Sequence, residues 1–311
     1  MIPWLVLLQA SLTIAVAGPA TSPEYLPLHL AEAEGLFAAQ QITVTLRPLR
    51  SEQAAAEALG SGRVQLAATS LDSALRLASV TRTPPRLVMG LTAAAPVALL
   101  VSPKRAGQIH GPADLVGQTV AVPSPGTAED QALGLLLTQA GVPIHRVTVK
   151  SLGERGAARA VESGEVAAAM LADPYVTRMT EAGTGVIVVD LRGIAGARKA
   201  LDGPSVNAAV VARGDDVPDQ ATVKALRQAL VAAIARLTSA DPATLESVLP
   251  GPVIGSAADF AMRLRGTRDA FLPGGRIGPE ALEHSIDLIK RRMPLPAALK
   301  LPRRLESLLV E

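Results

Sequence analysis

With 311 residues, the chain is long enough for two lobes that each bury a core. Its 30 basic and 28 acidic residues are mixed along the length, and the formal net charge of +2 leaves no basic stripe for nucleic acid. The lack of cysteine excludes disulfides, thiolate metal sites, a cysteine nucleophile and lipid attachment through cysteine. Beyond the N-terminus, no apolar run reaches the roughly 18 residues a helix needs to cross a bilayer.

Residues 3–8 have the apolar character of a secretion-signal core, although no Lys or Arg precedes them. Residues 1–10 therefore read as a signal-sequence remnant, and residues 12–17 as a first strand that breaks at Gly18-Pro19. A helix is expected from Ser22-Pro23, because Leu26, Leu30, Ala33 and Phe37 recur at helical spacing and Gly35 lies near the end. Residues 43–49 form a second predicted strand, 53–59 a helix closed by Gly60, and 65–69 a third strand. The turn Thr69-Ser70-Leu71-Asp72 then starts a helix over 70–78. Strands are expected at 86–91 and 97–101, the second carrying the chain out of the first lobe.

The same grammar repeats in the middle of the chain. A strand at 119–122 runs into the turn Ser124-Pro125-Gly126-Thr127 and a helix over 128–140, closed by Gly141. Strand 146–149, helix 155–163, strand 167–171, helix 173–181 and strand 185–189 follow, and strand 206–212 reads as the return crossing. After it only helices are expected, one with its apolar face on Val223, Leu226, Leu230, Ile234 and Leu237, and others at 257–268 and 279–292. Alternating strands and helices argue for an α/β architecture with mostly parallel sheets. Strands that deliver helix N-termini to one sheet edge make a crevice of free N–H groups, which suits a small polar ligand.

Four segments carry a family resemblance: residues 23–37 (PEYLPLHLAEAEGLF), 57–67 (EALGSGRVQLA), 114–122 (DLVGQTVAV) and Ala172-Asp173-Pro174-Tyr175. In this order the chain resembles, over residues 11–240, the SsuA/THI5-like substrate-binding components of ABC importers for nitrate, sulfonates, taurine and thiamine precursors. The resemblance implies a periplasmic-binding-protein (type II) fold, with two α/β lobes joined by two crossover strands and a ligand between them. The first lobe would comprise residues 11–101 plus 206–311, and the second residues 102–205. It further implies a periplasmic or extracytoplasmic receptor, not a lipoprotein since there is no Cys. Such a receptor would be a monomer that binds a small organic molecule without a cofactor or metal and serves an ABC permease and its ATPase.

The resemblance also points to site residues. Pro19, Thr21 and Ser22 belong to the loop after the first strand, with Tyr25 one turn on; Ser22 alternatively acts as an N-cap and Tyr25 as a core residue. Thr69 and Ser70 lie at the end of the third strand, where Ser70 either offers its hydroxyl to ligand or caps the next helix. Ser124, Gly126 and Thr127 match the family loop that supplies hydroxyls and amides from the second lobe, while Thr127 with Asp130 also satisfies a capping box. Glu129 and Asp130 place negative charge on that helix's first turn, which disfavours a strongly anionic ligand. Asp173 and Tyr175 occupy an acidic-Pro-aromatic element that in the family follows a tryptophan; Ala172 stands in its place here. Asp173 either accepts from a ligand amine or caps its helix, and Arg50 is the one well-placed cation for an acidic ligand unless it is simply solvated.

Enzymatic motifs are wanting. His29, His110, His145 and His284 lie far apart without metal spacing, and no nucleophile elbow or phosphate loop occurs. Thiamine-pyrimidine synthases of this fold use a His- and Cys-rich motif that is absent here. Menaquinone-pathway dehydratases use hydroxyls and backbone amides, and they remain the alternative reading.

Overall fold

The computed structural model describes residues 10–81 and 83–311. The expected signal remnant at residues 1–10 lies outside the described residues except for Ala10, which opens the first strand. In the first half of the chain, β1 (Ala10–Ala17) leads through a 3-10 turn (Pro23–Tyr25) to α1 (Leu26–Ala33) and α2 (Leu36–Ala39). One helix was expected here; Gly35, at φ +67°, divides it in two, a left-handed conformation that costs glycine nothing. Then come β2 (Ile42–Leu49), α3 (Glu52–Gly60), β3 (Leu66–Ser70), α4 (Leu71–Thr81) and β4 (Arg86–Gly90).

The second series is β5 (Val97–Val101), β6 (Thr119–Val122), α5 (Ala128–Gln139), β7 (Thr148–Ser151), α6 (Gly153–Ser163), β8 (Ala168–Ala172), α7 (Tyr175–Glu181), β9 (Val186–Asp190) and α8 (Ile194–Leu201). The periodicity reading did not anticipate α8, a short helix with Gly196 in its middle that is held by burial of Ala197 and Leu201. After β10 (Ala208–Ala212) the chain is helical: α9 (Gln220–Ser239), α10 (Pro242–Glu246), α11 (Gly251–Ile254), α12 (Ala257–Thr267) and α13 (Pro279–Arg292).

The strands form two five-stranded sheets, ordered β2-β1-β3-β10-β4 and β7-β6-β8-β5-β9. In each, the first three strands are parallel and the fourth runs antiparallel to both neighbours. The antiparallel strand of each sheet is the one reached by crossing from the other. β5 follows β4 out of the first sheet, and β10 follows β9 out of the second. Residues 97–101, expected to carry the chain out of the first lobe, are thus paired on both edges inside the second sheet, between β8 and β9. The crossing itself falls in the segment before β5.

Each sheet buries its own core. Leu12, Ile14, Leu66, Leu87 and Val210 pack with the C-terminal helices in one lobe, and Val97, Leu99, Val120, Leu133 and Met170 pack together in the other. The helical tail covers the first lobe through Leu226, Leu230, Phe260 and Ile286. α13 also reaches the second lobe, since Leu288 joins that core and Arg291 donates to Gln139 Oε1 at 3.3 Å.

Candidate functional site: a cleft between the sheets

In both sheets the carboxyl ends of the parallel strands face a common cleft, where open α/β sheets bind ligands. Between them lies a cavity of about 400 Å³, within the range that encloses small organic molecules. Its walls come from the segment after β1 (Pro19, Thr21, Ser22, Glu24), the segment after β2 (Arg50, Ser51, Glu52), the turn after β6 (Ser124, Gly126, Thr127, Glu129), the end of β8 (Ala172, Asp173, Pro174), Glu154 of α6 and Arg263 of α12.

Eight of the twelve residues expected at a site therefore line one cavity: Pro19, Thr21, Ser22, Arg50, Ser124, Gly126, Thr127 and Asp173. Tyr25, Thr69, Ser70 and Tyr175 do not. The first three stand one layer behind it, around Glu52. The Tyr25 hydroxyl donates to Glu52 Oε1 at 2.6 Å, the Thr69 hydroxyl to Oε2 at 2.8 Å, and the Ser70 amide to Oε2 at 2.5 Å. Tyr25 and Thr69 are wholly buried, so this knot fixes the first-lobe wall while only Glu52 faces the cleft. Tyr175 is half-buried against the apolar cluster that holds Val176 and Met179.

In the second lobe the polar groups are satisfied locally. Thr127 caps α5, accepting from the Asp130 amide and donating to the Ser124 carbonyl at 3.0 Å. The capping-box partner is displaced by one residue, because the Asp130 carboxylate accepts from the Gly126 amide at 2.9 Å. Asp173 accepts from the Thr177 amide at 2.8 Å and pairs with Arg192 at 3.0 Å, and Arg192 also grips Asp190. Asp173 is thus a helix cap and an ion-pair partner within the cavity wall.

Five charged residues of the wall, Glu24, Glu52, Glu129, Glu154 and Arg263, were not among the sequence candidates. Burial, reinforced by the charge of Glu52, pushes the Glu24 carboxyl up to about 8. Burial also raises Glu52, although its three donors pull the other way, and it raises Glu129. Arg263 reaches the wall from the helical tail and donates to the carbonyls of Val253 at 3.3 Å and Ile254 at 2.6 Å. Only the positions of Glu24, immediately after Ser22-Pro23, and Glu129, on the first turn of α5, gave a local signal. Glu52 and Arg263 are placed by packing from elsewhere in the chain.

The two lobes meet across α12. Arg178 of α7 pairs with Asp259 of α12, and Gly266 presses against Asp173, where a Cβ would overlap Oδ2. A cleft with a cavity between two sheets of like topology, joined by two crossings, defines a two-lobed binding protein of the periplasmic type. Residues 22–242 match the family model described as NMT1/THI5 like, and the chain belongs to this family.

Solved structures share the fold. A protein of Bordetella bronchiseptica RB50 is 23% identical, with 96% of each chain covered and a TM-score of 0.74. The alkanesulfonate-binding protein SsuA from Xanthomonas axonopodis pv. citri, solved with MOPS bound, is 19% identical over 97% of this chain and 98% of that one, with a TM-score of 0.67. The periplasmic nitrate-binding protein NrtA from Synechocystis PCC 6803 is 14% identical over 84% of this chain and 69% of that one, with a TM-score of 0.55. No curated protein matches the chain.

Proposed function

We propose that this protein is the extracytoplasmic receptor of an ABC importer, closing its two lobes on a small organic solute and presenting the closed form to a permease and its ATPase. The observation that carries the reading is the cavity itself, walled by strand ends from both sheets, so that a ligand touching both walls favours the closed arrangement. Family membership and the binding-protein neighbours support it. The division into lobes follows the sheets: β1 to β4 with β10 and the helical tail on one side, β5 to β9 on the other. Pro19, Thr21, Ser22, Arg50, Ser124, Gly126, Thr127 and Asp173 supply the contacts, with Tyr25, Thr69 and Ser70 holding the wall from behind.

Thermal unfolding in the presence of sulfonates, nitrate, pyrimidines, amino acids, small carboxylates and amines tests this. A solute that binds only the folded state raises the melting temperature by mass action. The receptor reading expects one chemical class to do so and to be recovered unchanged. Turnover of the bound solute would instead establish the enzymatic alternative on the same fold.

A further inference from the structure

We propose that the cavity takes an organic cation, a small ammonium or amidinium solute held between Glu24 of the first lobe and Glu129 of the second. This rests on the receptor reading above and specifies the charge of its ligand.

Glu24 carries the argument. Its side chain lines the cavity at 5% exposure, yet among the described residues its carboxyl makes no hydrogen bond or ion pair with another residue. Its own backbone amide is the one group that bonds it, and a buried carboxyl so poorly satisfied is costly and calls for an explanation such as a ligand. Glu129 faces the same space at 7% exposure from the first turn of α5. The charges of Glu52 and Glu129 both act on Glu24, and carboxyl groups of the two lobes line the same cavity.

The arginines of the wall do not fill that place. Arg263 is turned to the Val253 and Ile254 carbonyls, and Arg50 is exposed at the rim. Neither forms an ion pair with Glu24 or Glu129 among the described residues.

In the turn before α5, two backbone amides that an anion would use are already occupied. The Gly126 amide is bonded to Asp130, and the Asp130 amide to Thr127. A sulfonate or nitrate in this cavity would face a carboxyl group from each lobe and would meet like charge wherever those groups are ionised. Nor do the acids form a metal cage, since no three His, Asp or Glu side chains among the described residues converge as ligands. A polyatomic cation with several N–H donors fits both constraints: it spans the cleft and offers each carboxylate a charge-assisted hydrogen bond. On binding, Glu24 gives up its proton to solvent, and one proton leaves for each cation bound wherever Glu24 was protonated beforehand.

Isothermal titration calorimetry with charge-reversed pairs of similar shape tests the assignment. Ethanolammonium is set against isethionate, and benzamidinium against benzenesulfonate, at pH 6.5 and pH 8.5. At least one cation should bind while its anionic counterpart does not, with proton release at the lower pH seen as a dependence on buffer ionisation enthalpy. Glu24→Gln and Glu129→Gln should each weaken that cation by roughly ten- to a hundredfold, the loss expected for one charged hydrogen bond. Glu165→Gln, at an exposed residue paired with Lys150, should leave it unchanged. Melting temperatures of Glu24→Gln and Glu129→Gln at or above wild type would show that weaker binding is not unfolding.

Tighter binding of either sulfonate, or cation affinity untouched by Glu24→Gln, would overturn the proposal and leave the receptor reading standing. If neither charge class binds and no solute of the wider screen raises the melting temperature, both readings fall.

Discussion

The two lobes share a strand order and differ in how they hold the ends of those strands. In the first, the wall is set by long-range bonds: Glu52 is gripped by Tyr25, Thr69 and Ser70, which lie 17 to 27 residues away, and the helical tail covers the lobe. In the second, the wall is set by its own turns, with Thr127, Asp130, Ser124 and Gly126 bonded within four residues of one another. One topology thus supports a preorganised, buried wall and a locally capped, exposed one.

The sharpest break of this comparison is Glu52→Ala. It leaves the Tyr25 and Thr69 hydroxyls and the Ser70 amide without their carboxylate acceptor, at about 1–3 kcal/mol for each buried donor left unpaired. We expect a loss of about 3–5 kcal/mol in urea unfolding, because part of the cost is offset by removal of a buried acid. A loss below 1 kcal/mol would mean that the knot does not hold the first lobe.

The next largest effect is a pH dependence. Glu24 is near 4.5 when unfolded and about 8 when folded, so the folded state holds the extra proton between these values. Its contribution to stability is fully present below pH 4.5 and is lost as pH rises through about 8. Glu52 on α3, Glu129 on α5 and Arg263 on α12 face the same cavity, and the two acids slope in the same direction. The difference between wild type and Glu24→Gln isolates the one group. The variant should gain on wild type, by on the order of 2–4 kcal/mol, between pH 5 and pH 8. Parallel stability curves for the two proteins would remove Glu24 from the account.

Gly266→Ala tests the seam between the lobes. Its Cβ would overlap Asp173 Oδ2, so α12 or Asp173 must shift, at a cost of about 1–3 kcal/mol for overpacking. Small-angle scattering should also show a more open molecule. The smallest effect is expected for Thr127→Ala, where loss of a helix cap costs about 1 kcal/mol of stability. Loss of a wall hydroxyl should weaken ligand binding by roughly three- to tenfold. Unchanged binding there would confine Thr127 to its capping role.

The local features were legible in the sequence. Apolar alternation placed the strands within a residue or two, the Thr127 cap stands at the start of α5 as read, and Ser124-Pro125-Gly126-Thr127 announced a turn. These depend on backbone groups within one turn of the residue that satisfies them. The four quoted segments were enough to mark the family.

Tertiary structure alone decided which groups face the cleft. Tyr25, Thr69 and Ser70 have the composition of a polar site, yet they point at Glu52, a residue whose place at the start of α3 looked unremarkable. Arg263 enters the wall from a helix that follows both crossings, and β5 belongs to the sheet the chain is entering. Hydrophobic periodicity determines which face of an element is buried but carries no record of the partner it is buried against. Pairing and charge compensation between distant segments are fixed only when the two sheets and the helical tail pack together.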